Sequence, residues 1–245
     1  MTALFAVLWT SRVEAAPGEN VIPDNVSINL NGSGNQQSLS IPVQIVLFLT
    51  LLSFIPAILI SVTSFTRIVI VFHFLRQALG TNETPSNQIV IGLTLFLTMF
   101  VMSPVGEQIN RQALQPMMAG TISQSEAITS AIQPLRGFMI KYTREKDLAL
   151  FLSIAKQPRP SKADDIPTTV MIPAFMISEL KTAFQIGFVL FLPFLVIDMV
   201  VATVLLSMGM LQLPPVMVSM PFKILLFIMV DGWNLVVGSL VKSFY

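Results

Sequence analysis

The sequence predicts an all-α fold of integral membrane type: two apolar helical hairpins with a charged helical segment between them. Three observations carry that expectation. Of 245 residues, 53% are hydrophobic and 11% charged, with a mean hydropathy of +0.76; an average soluble domain has roughly 25% charged residues. Four apolar stretches, 41–65, 88–105, 183–211 and 216–241, each reach the roughly 17–25 residues a spanning helix needs. Most of the charge lies between the second and the third.

The same numbers exclude several classes. Charges are too few to clothe a soluble globule with this much apolar surface, and too much of the chain is apolar for disorder. A net charge of +1 without a Lys/Arg stripe argues against nucleic acid as a partner. Cysteine is absent, so disulfides, thiolate chemistry and Cys-ligated metals are excluded. His73 is the sole histidine, which rules out a His-rich metal site. Ser61 and Ser64 lie near it, but no acid is placed among them to complete a triad. With no phosphate loop, HExxH or GxSxG motif, neither catalysis nor a cofactor is expected.

In chain order, residues 1–16 read as a signal peptide: a short apolar run, then Ala15 and Ala16 before Pro17. Residues 17–40, rich in Asn, Gln, Ser and Gly, read as a flexible exported lead-in. The first hairpin, 41–105, opens with a stretch broken by Pro56 and apolar well past Phe65. Gly80 is a helix stop, and Thr84-Pro85-Ser86 starts the next helix. In the segment 106–182, Ser123 to Glu126 forms a capping box and Pro134 begins a further helix with Leu135, Phe138, Met139 and Tyr142 on one face. Lys141, Arg144, Glu145, Lys146 and Asp147 read as a solvated helix face. The second hairpin, 183–245, is broken by Pro193 and turns at Pro214-Pro215. With the N-terminus outside, four crossings put Arg67 and Arg76 inside, 106–182 outside, the Pro214-Pro215 turn inside and Tyr245 outside.

Ionisable residues in apolar stretches are costly and mark function by default. Here they are Asp198, Lys223 and Asp231, with Glu179 just before the third stretch. Counted outward from Pro214-Pro215, Asp198 and Asp231 reach similar depth and Lys223 lies roughly 9–12 Å nearer the turn. This count denies Lys223 a partner in its own hairpin and points to an acid of another subunit, Glu179 first. Met208, Met210, Met217 and Met220 crowd the hairpin tip, where thioethers serve either packing or an adaptable seal.

Several runs resemble the FliP family of type III secretion export-gate subunits: PAFMISELKTAFQIGF at 173–188, SFTR at 64–67, LRQALGT at 75–81, MSP at 102–104, PFK at 221–223 and VDGW at 230–233. The resemblance covers about 40–245 and includes Arg67 and Arg76 in the first-loop motif. It implies hairpins packed side by side in a helical oligomer of this chain with FliQ and FliR, much of it raised to the periplasmic side of the inner membrane within the flagellar basal body. Unfolded flagellar proteins would pass through, with FlhA and FlhB completing the apparatus. It also implies a methionine-rich pore gasket at Met208, Met210 and Leu211. Where the family usually has three methionines after a glycine, Gly209 is here followed by Met210, Leu211 and Gln212. The alternative from the residues alone is an ion- or proton-coupled transporter working through Asp198 and Asp231.

Overall fold

The structure, a computed structural model, describes residues 41–81, 84–158, 160, 165–210 and 212–245. The expected signal peptide and lead-in, and Leu211 of the expected gasket, lie outside the described residues. Helices α1 (Ile41–Val62), α2 (Phe65–Leu79), α3 (Asn87–Ile109), α4 (Gln115–Met118), α5 (Gln124–Tyr142), α6 (Glu145–Ile154), α7 (Thr168–Ser207), α8 (Pro215–Met229) and α9 (Gly232–Lys242) follow in order, with a π turn at Asn110–Leu114 between α3 and α4. No strand occurs among the described residues, so the all-α expectation holds. Two compact units divide the chain, Met1–Ser53 and Phe54–Tyr245. Described residues of the first are the N-terminal part of α1, whose large apolar side chains from Val43 to Leu52 are exposed.

Among the described residues, three helices are long and apolar enough to cross a membrane: Pro42–Val62, Asn87–Met118 and Thr168–Ser207. The fourth apolar stretch is a bent pair, α8 and α9, at 67° to one another. Asp231 turns that corner in the left-handed region at φ +51°. Gly232 follows because a Cβ there would stand 2.2 Å from the Phe227 ring.

Within the second unit, α2 packs along α7 and also meets α3 and α8; α5 and α6 pack on α7, and α8 folds back on it. Ile68, Val71, Phe72 and Leu75 of α2, Met171 and Phe175 of α7, and Phe138 and Met139 of α5 form the core. Helices α2 and α7 are packed closely at Gly187, where a Cβ would meet the Phe74 ring at 2.5 Å.

Several sequence expectations are corrected. Apolar character does not carry the first helix past Phe65: α1 stops at Val62 and α2 begins at Phe65. Side-chain hydroxyls take over the backbone acceptors there. Thr63 Oγ1 donates to the Leu59 carbonyl at 2.5 Å, and Thr66 Oγ1 to that of Ile60 at 2.8 Å. Pro56, Pro134 and Pro193 all lie inside continuous helices, so none breaks or begins one. A proline removes one hydrogen bond and bends the rod, and packing or an apolar surround can hold the rest together. Gly80 does stop α2 in the left-handed region at φ +76°, and Ser86 precedes α3. The capping box is present: Glu126 N–H donates to Ser123 Oγ at 3.3 Å, and Ser123 N–H to Glu126 Oε2 at 2.8 Å.

Two outcomes follow. Gly187→Ala should overpack the α2–α7 contact and cost about 1–3 kcal/mol, read by denaturant unfolding in detergent, with Phe74→Ala recovering part of the loss. The Ser123 donors also hold the exposed Glu126 carboxyl below the usual carboxylate value. Its support for the first turn of α5 is therefore present above the ordinary carboxylate pKa and lost as pH falls through the lowered one. Amide exchange at Ser123 should quicken over that acidic window, and Glu126→Gln should remove the pH dependence.

Candidate functional site

The polar residues gather at two places along α7. At the first, Arg67 of α2 forms a fork with Glu179: Nε donates to Oε2 at 2.8 Å and Nη2 to Oε1 at 2.5 Å. The two side chains are 3% and 0% exposed. Arg67 Nη1 also donates to the carbonyl and hydroxyl oxygens of Ser243, at 3.0 and 2.9 Å. Its guanidinium carbon lies 3.8 Å from the Phe244 ring centre and 5.4 Å from that of Tyr142. Tyr142 in turn donates its hydroxyl to the Phe244 carbonyl. One arginine thus joins α2, α7, the end of α5 and the turn after α9. Geometry of this kind is where arginine exceeds lysine: a planar fork bonds a carboxylate twice while its face stacks on aromatic rings.

Next to this fork, Ser178 accepts from the Arg144 backbone N–H at 3.0 Å and donates to Asp147 at 2.7 Å. Arg144 Nη2 reaches Gln185 Oε1 at 2.6 Å and Thr182 at 3.3 Å. Arg144 and Asp147 are therefore not part of a solvated helix face; they fasten the start of α6 to α7. Arg136, also buried, donates to the Ile166 carbonyl at 2.6 Å and the Thr168 hydroxyl at 2.8 Å, fixing the entry to α7.

The second place is in the α7–α8 hairpin. Lys223 Nζ donates to Asp198 Oδ2 at 2.6 Å, and Ser219 donates its hydroxyl to the other carboxylate oxygen. Lys223 therefore has its partner in its own hairpin, and Glu179 is taken by Arg67 of the same chain; the expected pairing of Lys223 across subunits is corrected. The depth count failed because it treated residues up to the proline pair as helix. Helix α7 ends at Ser207, so its helical rise stops short of the proline pair. Measured from the helix ends, Asp198 is nine residues before Ser207 and Lys223 eight after Pro215, which puts them level.

The four-crossing topology is corrected as well. That topology sets Arg67 inside, and Glu179 and Tyr245 outside, yet Arg67 bonds both Glu179 and Ser243. Counting positive residues assumes that they are hydrated, and Arg67 and Arg76 are 2% and 8% exposed. Asp231 does not join Asp198: it sits exposed at the α8–α9 corner, accepting from Asn234 at 3.1 Å. Met208 and Met210 are exposed at the hairpin tip, and Met217 on the first turns of α8. The start of α8 lies under the end of α2, where a Cβ on Gly80 would stand 3.6 Å from Val216. Among the described residues no three acids or histidines converge on a metal position.

A family model, the FliP family, matches residues 39–240. The chain belongs to the FliP family. Relatives agree over nearly the whole length. The flagellar biosynthetic protein FliP of Bacillus subtilis is 57% identical over 220 residues, covering 90% of this chain and 100% of the relative. That of Pectobacterium carotovorum is 48% identical over 246 residues, 98% of this chain and 95% of the relative. That of Caulobacter vibrioides is 46% identical over 243 residues, 99% and 90%. Membership and the long apolar helices make the chain a membrane-embedded component of the flagellar export apparatus. Within the stretch matched by the FliP family, sequence reasoning missed Ser178, Ser219, Arg136 and the α5–α6 charges as structural bonds. A serine facing an acid or a backbone N–H has no signature until the helices are placed.

The two members of the hairpin pair differ in exposure: the Lys223 side chain is 2% exposed and that of Asp198 24%. Losing Asp198 strands an ammonium that water cannot reach; losing Lys223 leaves a carboxylate that is partly wetted and still bonded to Ser219. Asp198→Ala should therefore cost about 3–5 kcal/mol and Lys223→Ala distinctly less, in thermal unfolding of the detergent-solubilised chain. Equal losses would contradict the asymmetry.

Proposed function

We propose that this chain is a core subunit of the flagellar type III secretion export gate. Copies of it, with FliQ and FliR, form the pore through which unfolded flagellar proteins are exported, with FlhA and FlhB completing the apparatus. The assembly sits in the bacterial inner membrane and on its periplasmic face, and the chain has no catalysis of its own. Glu179, Asp198, Lys223 and Asp231 serve assembly, the first three by fixing the helices that neighbours pack against.

The observation that carries this reading is the hairpin tip. Met208 and Met210 stand exposed at 63% and 44% at the end of a hairpin cross-tied by Asp198 and Lys223. Thioether side chains are unbranched and polarisable, so they can close on one another and re-pack around a passing polypeptide without breaking hydrogen bonds. Large apolar side chains on the flanks, Val196, Val200 and Val204 of α7 and Phe222 and Leu225 of α8, are exposed too, which gives neighbouring subunits an apolar face to cover. The transporter alternative is weaker, because Asp198 is held by Lys223 and Ser219 and Asp231 lies apart at a corner.

The test is electrical. Replacing Met210 and Leu211 together with Gly should raise ion leakage through the co-expressed assembly by severalfold while secretion of flagellar subunits persists. Unchanged conductance with assembly intact would reduce the tip to packing.

A further inference from the structure

Gly209 stands between Met208 and Met210 at the hairpin tip, in the left-handed region at φ +73°. Its surroundings give no other reason for glycine, since a Cβ there would meet nothing within 4 Å. Gly187 and Gly232 differ: rings at 2.5 and 2.2 Å leave them no room for a side chain. At Gly209 the backbone conformation alone selects the residue.

The main-chain hydrogen bonds tell what that conformation does. Met208 N–H donates to the Val204 carbonyl at 3.1 Å, as in a continuing helix. Gly209 N–H then donates to the Leu206 carbonyl and Met210 N–H to the Leu205 carbonyl, each at 3.0 Å. These crossed bonds form a Schellman cap, with Gly209 at its left-handed position. The cap turns the chain aside at the end of α7, so Met210 leaves the helix instead of lengthening it. Met208 and Met210 are 63% and 44% exposed, so packing within the chain does little to hold them. Beyond the tip, Pro214 at φ −67° and Pro215 in the first turn of α8 fix the backbone again.

The competing conformation is a longer α7. With residue 209 in the right-handed region, residues 209 and 210 would add about 3 Å of helical rise and carry Met210 round the helix axis. Extension meets its first backbone obstacle only at Leu213, the residue before a proline. We propose that Gly209 is the positioning residue of the seal: its left-handed φ sets the place that Met210 takes in the pore. This rests on the reading of the tip as the seal.

Two substitutions separate this role from a need for a small residue. Alanine is small but favours the helix; asparagine is larger but tolerates the left-handed region. The chain has no cysteine, so nitroxides on Met210→Cys and on Lys181→Cys, an exposed position of α7, report one distance in the full chain in detergent. Adding Gly209→Ala should bring in a population longer by about 3 Å, and Gly209→Asn should keep the parent distance. In the assembly co-expressed with FliQ and FliR, with Met210 in place, Gly209→Ala should raise ion leakage about fivefold or more. Gly209→Asn should raise it distinctly less, with secretion persisting in both. The parent distance in the Gly209→Ala chain overturns the proposal, and so does greater leakage from Gly209→Asn than from Gly209→Ala. Should Gly209→Ala fail to assemble, the distance decides. A shifted distance with unchanged conductance removes the seal reading and this role with it. Leakage from the Met210 and Leu211 replacement, with none from Gly209→Ala, removes the role of Gly209 alone.

Discussion

The bidentate pair of Arg67 and Glu179 is the constraint on which the rest of the second unit depends. Both groups are shut off from water, so each is tolerable only while the other is in place. Arg67 uses its remaining donors on Ser243 and its face on Phe244, which brings the chain end back to the bundle. Tyr142 then ties the end of α5 to that returning segment, and Ser178 ties the start of α6 to the same short length of α7. A hydrophobic core alone would leave the helices free to slide; directional bonds at one level of α7 set their register. The Asp198–Lys223 pair does the same at the hairpin end, so α7 is pinned near both extremities and its apolar flanks between are left for neighbours.

Much of this architecture is legible in the sequence, for identifiable reasons. The four apolar stretches stand out because a spanning helix needs a long run with almost no charge, and this chain concentrates its charge elsewhere. Gly80 and the Ser123–Glu126 box are legible because a left-handed stop and a capping box are local, needing only the residues beside them. What the sequence hides is whatever depends on distance. Prolines 56, 134 and 193 look like helix ends, and only the structure tells that the helices continue through them. The level of Lys223 against Asp198 depends on where α7 stops, and that stop is marked by Gly209, left-handed at φ +73° like Gly80, well before the proline pair from which depth is counted. Arg67 reads as a loop cation because its two anchors, Glu179 and Ser243, are more than a hundred residues away.

The site residues divide in the same manner. Glu179, Asp198 and Lys223 are conspicuous as charges in apolar surroundings, and the structure joins each to a partner. Asp231 is conspicuous for the same reason, but it owes its place to backbone geometry: aspartate is one of the few non-glycine residues that accept the left-handed corner between α8 and α9. A charge in an apolar run can thus mark a bend as well as a bond.

Helix α7, unbroken over 40 residues, has a mechanical consequence. From Glu179 to Ser207 it reaches roughly 40 Å at the α-helical rise, so a tilt of about 5° at the clamped end would swing the methionine tip by about 4 Å, close to the width of a side chain. Pro193 stands midway between those two residues and lacks the hydrogen-bond donor that would stiffen the rod there. The helix is therefore a lever with a compliant midpoint: strain at the polar cluster reaches the tip as displacement, and a load at the tip is absorbed at Pro193 before it reaches the Arg67–Glu179 clamp.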